Sequence, residues 1–172
     1  TRQFYYSEEV KNSIDMVLSV NGIPVVALEL KNQLTNQSVL NAKHQWKFDR
    51  DPKELLFNFN SRILLYFCVD LYEAWMTTHL QGEKTYFLPF NQGSNGAGNI
   101  GDGGNPANPE GYATSYLWER VLQRDMLLAL LQRYISRQET TEISLQKGKQ
   151  VKKTSVKLIS PRYHQLDVVE KL

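Results

Sequence analysis

Cysteine is almost missing from this chain: Cys68 is the only one in 172 residues. An intrachain disulfide is therefore excluded, and a thiol inside the apolar run "RILLYFCVDL" reads as a buried strand residue in a reducing compartment, with a catalytic thiol as the lesser alternative. Long apolar runs are missing too. No stretch approaches the roughly 20 residues of a membrane span, and no signal-peptide pattern opens the chain, so a cytoplasmic, membrane-free protein is expected. The three histidines, His44, His79 and His164, are scattered and show no zinc spacing. Charge of either sign in excess is lacking as well, the formal total being +2. That balance neither demands nor forbids a nucleic-acid partner, because a local basic face can hide in a near-neutral total. No internal repeat is found. The length suits one compact domain, or one with a short extension. The chain starts at Thr1 without methionine and closes on a helical stretch, so it is expected to be a piece of something longer.

What is present is an alternation of strand and helix signals. "RQFYYSE" is an aromatic-rich candidate strand, and "SIDMVLSV" and "IPVVALELK" flank Asn21-Gly22, the strongest short-range hairpin signal. "NQSVLNAKHQWKF" predicts a helix capped by Ser38, with Val39, Ala42 and Trp46 on one face. "SRILLYFCVDL" and "YEAWMTTHL" predict two strands joined tightly, and "KTYFLPFN" a short edge strand, since Pro89 argues against a central place. Residues 91–111 are too rich in Gly, Asn and Pro to be anything but a long loop. "SYLWERVLQRDMLLALLQRYI" is strongly helical, with a break expected at Asp125 as cap of the second piece. "SLQKGKQVKKTSVKLISP" is basic, contains a turn and should end in a strand, and a closing helix should begin near Pro161.

The segment "PVVALELKN" sets a problem. It has the composition of a strand covered on both faces, yet Glu29 and Lys31 leave it on the same side. Two charges beside a core are costly unless compensated. With a plain two-residue turn, Asp15 and Glu29 would fall on opposite faces and each face would mix apolar with charged side chains. Shifting the pairing by one, through a three-residue loop or a bulge, sorts the pattern. Ile14, Met16, Leu18, Val26, Leu28 and Leu30 then line one face, and Asp15, Val17, Ser19, Val25, Ala27, Glu29 and Lys31 the other. Asp15 stands across from Glu29, a destabilising like-charge pair that a divalent cation such as Mg²⁺ would neutralise, with Lys31 free to face a phosphate. The alternative is a common hairpin with a wet, charged face, and the spacing D-x(13)-E-x-K alone does not decide between them.

The triad is similar to the PD-(D/E)xK nuclease signature. More specifically, "IDMVLSVNGIPVVALELKN", "KFDRDP", "LPFNQGSNGAGN", "YLWERVLQRDMLLALL" and "PRYHQLDVV", in that order, resemble the R subunit of type I restriction endonucleases over nearly the whole chain. The resemblance implies a restriction-endonuclease-like α/β core, a mixed and roughly five-stranded sheet flanked by helices. It implies a nuclease core over 1–135, and over 136–172 a linker with the start of a helicase-like ATPase motor. Asp15 and Glu29 would be metal ligands, the Leu30 carbonyl a further ligand, and Lys31 the catalytic lysine. Family members carry a Gln-x-x-x-Tyr pattern on the following helix. Gln45 matches the glutamine, but Asp49 stands where the tyrosine would be. Gln165 matches an adenine-recognising glutamine ahead of the motor's phosphate-binding loop, while the loop G-x-x-x-x-G-K-[ST] itself occurs nowhere in the sequence. ATP would thus serve the full-length subunit only. The implied activity is type I deoxyribonuclease: Mg²⁺-dependent hydrolysis of double-stranded DNA after ATP-driven translocation, with methylation and specificity subunits as partners. A catalytically silent docking module and a stand-alone repair or recombination nuclease are the alternatives. Related nucleases also use a Glu from a helix before the first strand; Glu8 and Glu9 follow a strand and are poor stand-ins.

Two basic groups are candidate phosphate contacts: Lys43, Lys47 and Arg50, with His44 and Lys53 beside them, and Lys147, Lys149, Lys152 and Lys153. A solvated charged face explains either group as well. "GAGNIG", residues 96–101, is a literal G-x-G-x-x-G. It is followed by "DGGNPANP", which cannot start a helix, so a dinucleotide site is excluded.

Overall fold

The computed structural model describes residues 1–7, 11–146 and 149–172. Glu8, Glu9 and Lys147, named above, lie outside the described residues. The fold is α/β. Six strands, β1 (Arg2–Tyr5), β2 (Ser13–Val20), β3 (Ile23–Leu30), β4 (Leu65–Val69), β5 (Ala74–Thr77) and β6 (Leu88–Pro89), form one mixed sheet in sequential order. Only the central β3–β4 pair is parallel. A parallel pair needs a crossover, and here residues 31–64 provide it with helix α1 (Val39–His44). The sheet has one strand more than the five expected, and Pro89 sits in the two-residue edge strand β6.

The hairpin combines a tight turn with a shifted register. Asn21 and Gly22 have φ of 50° and 81°, the left-handed values that a two-residue turn requires. Val20 pairs with Ile23 and Ser19 with Pro24; Leu18 then pairs with Val26, so Val25 is the extra residue of a bulge. The register continues through Val17–Ala27 to Met16–Leu28. Both faces of the sheet are covered. Val26, Leu28, Leu65, Phe67 and Met76 pack in one cluster with Leu117, Val121 and Leu130. Val17 and Ala27 pack in the other with Val39, Ala42, Trp46, Phe57, Tyr66 and Cys68. Ile14 departs from the expected alternation: it joins this second cluster rather than lying with Met16 and Leu18, which border the first. Past Met16–Leu28 the Leu30 N–H donates to the Asp15 carboxylate (2.8 Å), so a side chain takes over from the backbone ladder where the alternation changes.

Helix α1 is held at both ends. Ser38 and Asn41 form a reciprocal capping box, and Val39 and Ala42 are buried. The helix widens into a π-type turn over Gln45–Asp49. There Trp46, fully buried, donates its indole N–H to the Phe67 carbonyl of β4 (3.2 Å).

The C-terminal half folds against the opposite face. Leu117–Val121 form another wide turn, a break follows, and helix α2 spans Arg124–Ala129. The cap position is taken by Gln123 in extended conformation, not by Asp125. Asp125 instead lies in the first turn, where the N-terminal partial charge favours a carboxylate. Strands β7 (Ser136–Gln146) and β8 (Lys149–Ile159) form a two-stranded antiparallel ribbon, and helix α3 (Tyr163–Glu170) follows. Tyr163 and Leu166 enter the first core cluster, and Arg120 pairs with Asp167 at 2.6 Å. Among the described residues no helix is long and apolar enough to cross a membrane. The 91–111 loop is braced by asparagines: Asn105 Nδ2 donates to the Tyr72 carbonyl and to Asn91 Oδ1, which also accepts the Ala74 N–H. "GAGNIG" lies wholly within that loop.

Asp70, at the carboxyl end of β4, was not singled out by the sequence. It is buried, and one oxygen accepts the Tyr72 and Glu73 N–H groups. Its other oxygen accepts the Val39 N–H and the Gln33 side chain, tying the β4–β5 turn to the start of α1. Asp70→Ala leaves buried donors unpaired and should cost on the order of 3 kcal/mol of stability, measured by denaturant unfolding. A loss below about 1 kcal/mol would mean that the turn and the helix hold themselves.

Candidate active site

The site forms where β2 begins and β3 ends. Asp15 is partly exposed and Glu29 has no exposure at all. Glu29 lies directly beside Cys68 in the parallel β3–β4 register, and the Lys31 N–H continues that ladder to the Val69 carbonyl (2.8 Å). Glu29, Lys31 and Lys43 all act electrostatically on the buried Cys68 thiol, so the three charged groups gather on the Cys68 side of the sheet. This is the face under α1, not a wet face. Asp15 and Glu29 lie close enough to interact, just past the Met16–Leu28 pair where the recorded ladder ends.

Part of the compensation for Glu29 comes from within the chain. Arg50 Nη2 approaches Glu29 Oε1 at 2.6 Å, and the arginine is itself only 4% exposed. The same nitrogen donates to the Ser13 carbonyl (2.7 Å), and Nη1 reaches the Asp49 carbonyl (3.4 Å). Arg50 was expected among surface phosphate contacts; the structure buries it instead, because the chain leaving the π-type turn runs back against Ser13 and Glu29. Glu29 Oε2 remains buried with no hydrogen-bond partner. Burial pushes the Glu29 carboxyl up from its ordinary 4.5 to about 7; Arg50 opposes the rise, while the Asp15 charge and a side-chain hydrogen bond shared with Asp15 add to it.

An unpartnered buried carboxylate oxygen beside a second carboxylate suits a hard dication, which takes one or two carboxylates and completes its shell with water and phosphate oxygens. Among the described residues no group of three or more His, Cys, Asp or Glu side chains is placed to hold a metal, so Asp15 and Glu29 are a two-carboxylate set. Leu30, 39% exposed, ends the strand between them.

The remaining sequence candidates are more dispersed. Gln45 is partly exposed and opens the π-type turn one step after α1. Lys47 is partly exposed in the same turn. Lys43 sits 3.1 Å from the Trp75 ring centroid, a cation–π contact, and burial lowers its pKa. Gln165 lies on α3, whose buried residues join the cluster on the other face of the sheet; its side-chain oxygen accepts the Arg162 N–H (2.9 Å). Lys152 and Lys153 are exposed on β8. No periodicity or spacing signals that Arg50 belongs to Glu29, 21 residues away.

The raised Glu29 pKa has a definite sign. The folded state holds this proton to higher pH than the unfolded chain, so the contribution of Glu29 to stability is fully present below about 4.5 and is lost as pH rises through about 7. Without divalent cations, wild type should lose about 3 kcal/mol more than Glu29→Gln between pH 4.5 and 8, in parallel urea titrations. Equal slopes would remove Glu29 as the titrating group.

Residues 1–85 match the family described as "Type I restriction enzyme R protein N terminus". No curated protein and no solved structure matches the chain.

Proposed function

We propose that this chain, whose residues 1–85 belong to the N-terminal family of type I restriction enzyme R proteins, is the nuclease part of such a subunit, hydrolysing DNA phosphodiester bonds with Mg²⁺. The observation that carries this reading is the pairing of Asp15 with a fully buried Glu29 that keeps one oxygen unpartnered. A carboxyl held this deep and only partly matched by Arg50 is costly to the fold, which supports a role beyond stability. Asp15, Glu29 and the Leu30 carbonyl would hold the cation. When bound, it would supply charge stabilisation at the phosphoryl oxygens and promote ionisation of water.

The chain's own groups divide the remaining work. Asp15 fixes the end of β3 through the Leu30 N–H and so sets where Glu29 and Lys31 stand. Lys31, partly exposed, carries the ammonium that faces a phosphate and offsets the negative charge that grows there during in-line displacement. Water attacks phosphorus and gives up a proton to solvent, the new O–P bond forms as the ester P–O bond breaks, and the leaving oxygen takes up a proton from solvent. Lys43 and Lys47, on α1 and the turn after it, are the phosphate contacts that remain once Arg50 is assigned to the interior. The family makes the chain a component of a restriction complex. Within it, cytoplasmic double-stranded DNA would be cut after translocation by an ATP-driven motor, which Gln165 would serve by recognising adenine, and methylation and specificity subunits would select the site. Residues 1–135 would form the nuclease core and 136–172 the link to that motor.

A second reading has its own observation. The Arg50–Glu29 pair partly neutralises the site without any metal, as a catalytically silent docking module would. Plasmid nicking with Mg²⁺ separates the two. Asp15→Ala and Lys31→Ala should each lower the rate about 100-fold or more, in the isolated chain or, where that is inactive, in the intact subunit. Undiminished cleavage by Lys31→Ala in the intact subunit would leave the docking module as the reading.

A further inference from the structure

We infer that Arg50 is the positioning residue of the carboxylate pair: its guanidinium holds Glu29 by Oε1 so that Oε2 is the oxygen presented to a divalent cation. The inference deepens the nuclease reading and rests on it.

Three observations carry it. First, Arg50 is only 4% exposed, with Nη2 shared between Glu29 Oε1 (2.6 Å) and the Ser13 carbonyl (2.7 Å). One guanidinium therefore joins the start of β2 to the end of β3, the two segments that carry Asp15 and Glu29. Its other end is fixed by the Asp49 carbonyl, and the Tyr6 and Trp46 ring centroids lie 5.8 and 5.9 Å from it. Second, the contact is one-sided. An arginine pairing a carboxylate for stability commonly engages both oxygens in parallel. Here it takes one, and the oxygen it leaves is buried without a partner. The other group that acts on the Glu29 carboxyl is Asp15, the second proposed ligand, so the side of Glu29 that Arg50 leaves belongs to the carboxylate pair. Third, the geometry needs arginine's fork. A lysine ammonium is a point charge and cannot reproduce the planar contacts to Glu29, Ser13 and Asp49 together. An outer partner that orients a ligating carboxylate typically contributes 10–100-fold to metal affinity.

The test is Mn²⁺ binding by electron paramagnetic resonance on the chain, with melting temperatures recorded alongside. Wild type should bind Mn²⁺ and Asp15→Asn should lose it. If wild type binds none, or Asp15→Asn changes nothing, the nuclease reading fails and the inference falls with it. Given that binding, folded Arg50→Lys should bind Mn²⁺ 10–100-fold more weakly, and Arg50→Ala at least as weakly. The nicking rate of Arg50→Lys should recover at saturating Mn²⁺. Affinity equal to or tighter than wild type, whatever the melting temperature, would overturn the inference, because a merely structural arginine lowers stability and leaves affinity unchanged. Where the variants do not fold, the wild type decides. The ¹⁵N signals of the Arg50 guanidinium should stay protected from exchange when Mg²⁺ is added; their release into rapid exchange would show that the cation displaces Arg50 rather than relying on it.

Discussion

A carboxylate with no access to water, inside a sheet covered on both faces, is the constraint around which this fold is arranged. Glu29 stands beside Cys68 on the strand pair that forms the centre of the sheet. Leaving it unmatched would be prohibitive. The chain meets the need in two ways: it returns Arg50 to the interior from the turn after α1, and it brings Asp15 to the same end of the hairpin. Arginine and aspartate act on Glu29 with opposite signs, and burial decides the balance in favour of the proton at acidic and near-neutral pH.

The register is what makes that convergence possible, and it depends on one residue. The two-residue turn at Asn21-Gly22 would set Asp15 and Glu29 on opposite faces. The bulge at Val25 inverts the relation from Leu18–Val26 through Met16–Leu28. Trp46, bonded to the Phe67 carbonyl, and Asp70, bonded to the Val39 N–H, then clamp the crossover onto β4 from either end of α1. The site is thus supported by the rigid centre of the sheet, while Lys31 projects from the strand's end, where solvent access begins.

The hairpin, the capped helix, the tight β4–β5 connection, the edge strand with Pro89 and the long Asn/Gly loop were all legible because each rests on local chemistry: turn dihedrals, a cap, an alternation, a missing donor. The register was legible for a further reason, since only one pairing sorts the apolar side chains of both strands. What escaped the sequence lies in contacts between distant segments. Arg50 reads as one more surface cation in "KFDRDP", and nothing local says that it folds inward to Glu29 and Ser13. Asp70 reads as a strand end, although it collects four donors from three segments. Ile14 crosses to the other cluster because Asp15 interrupts the ladder with its side chain, an event that a period of two cannot foresee. The N-cap position expected of Asp125 falls on Gln123, two residues earlier, whose side chain makes no capping bond, because the preceding wide turn sets where the second helix can start.

Two carboxylates, one of them already sharing an oxygen with a guanidinium, make a lean donor set for a hard dication that prefers about six oxygens. On the nuclease reading, that leanness is functional. Water and phosphate oxygens would have to supply the balance, so substrate and cation would each complete the other's site, and each would bind more tightly with the other present. The internal arginine fits the same logic. It offsets the repulsion between Asp15 and Glu29 while the substrate is away, yet leaves one oxygen unclaimed for the moment that it arrives. On that reading such a centre would be stable enough to sit in a core and would be completed only when DNA is delivered to it.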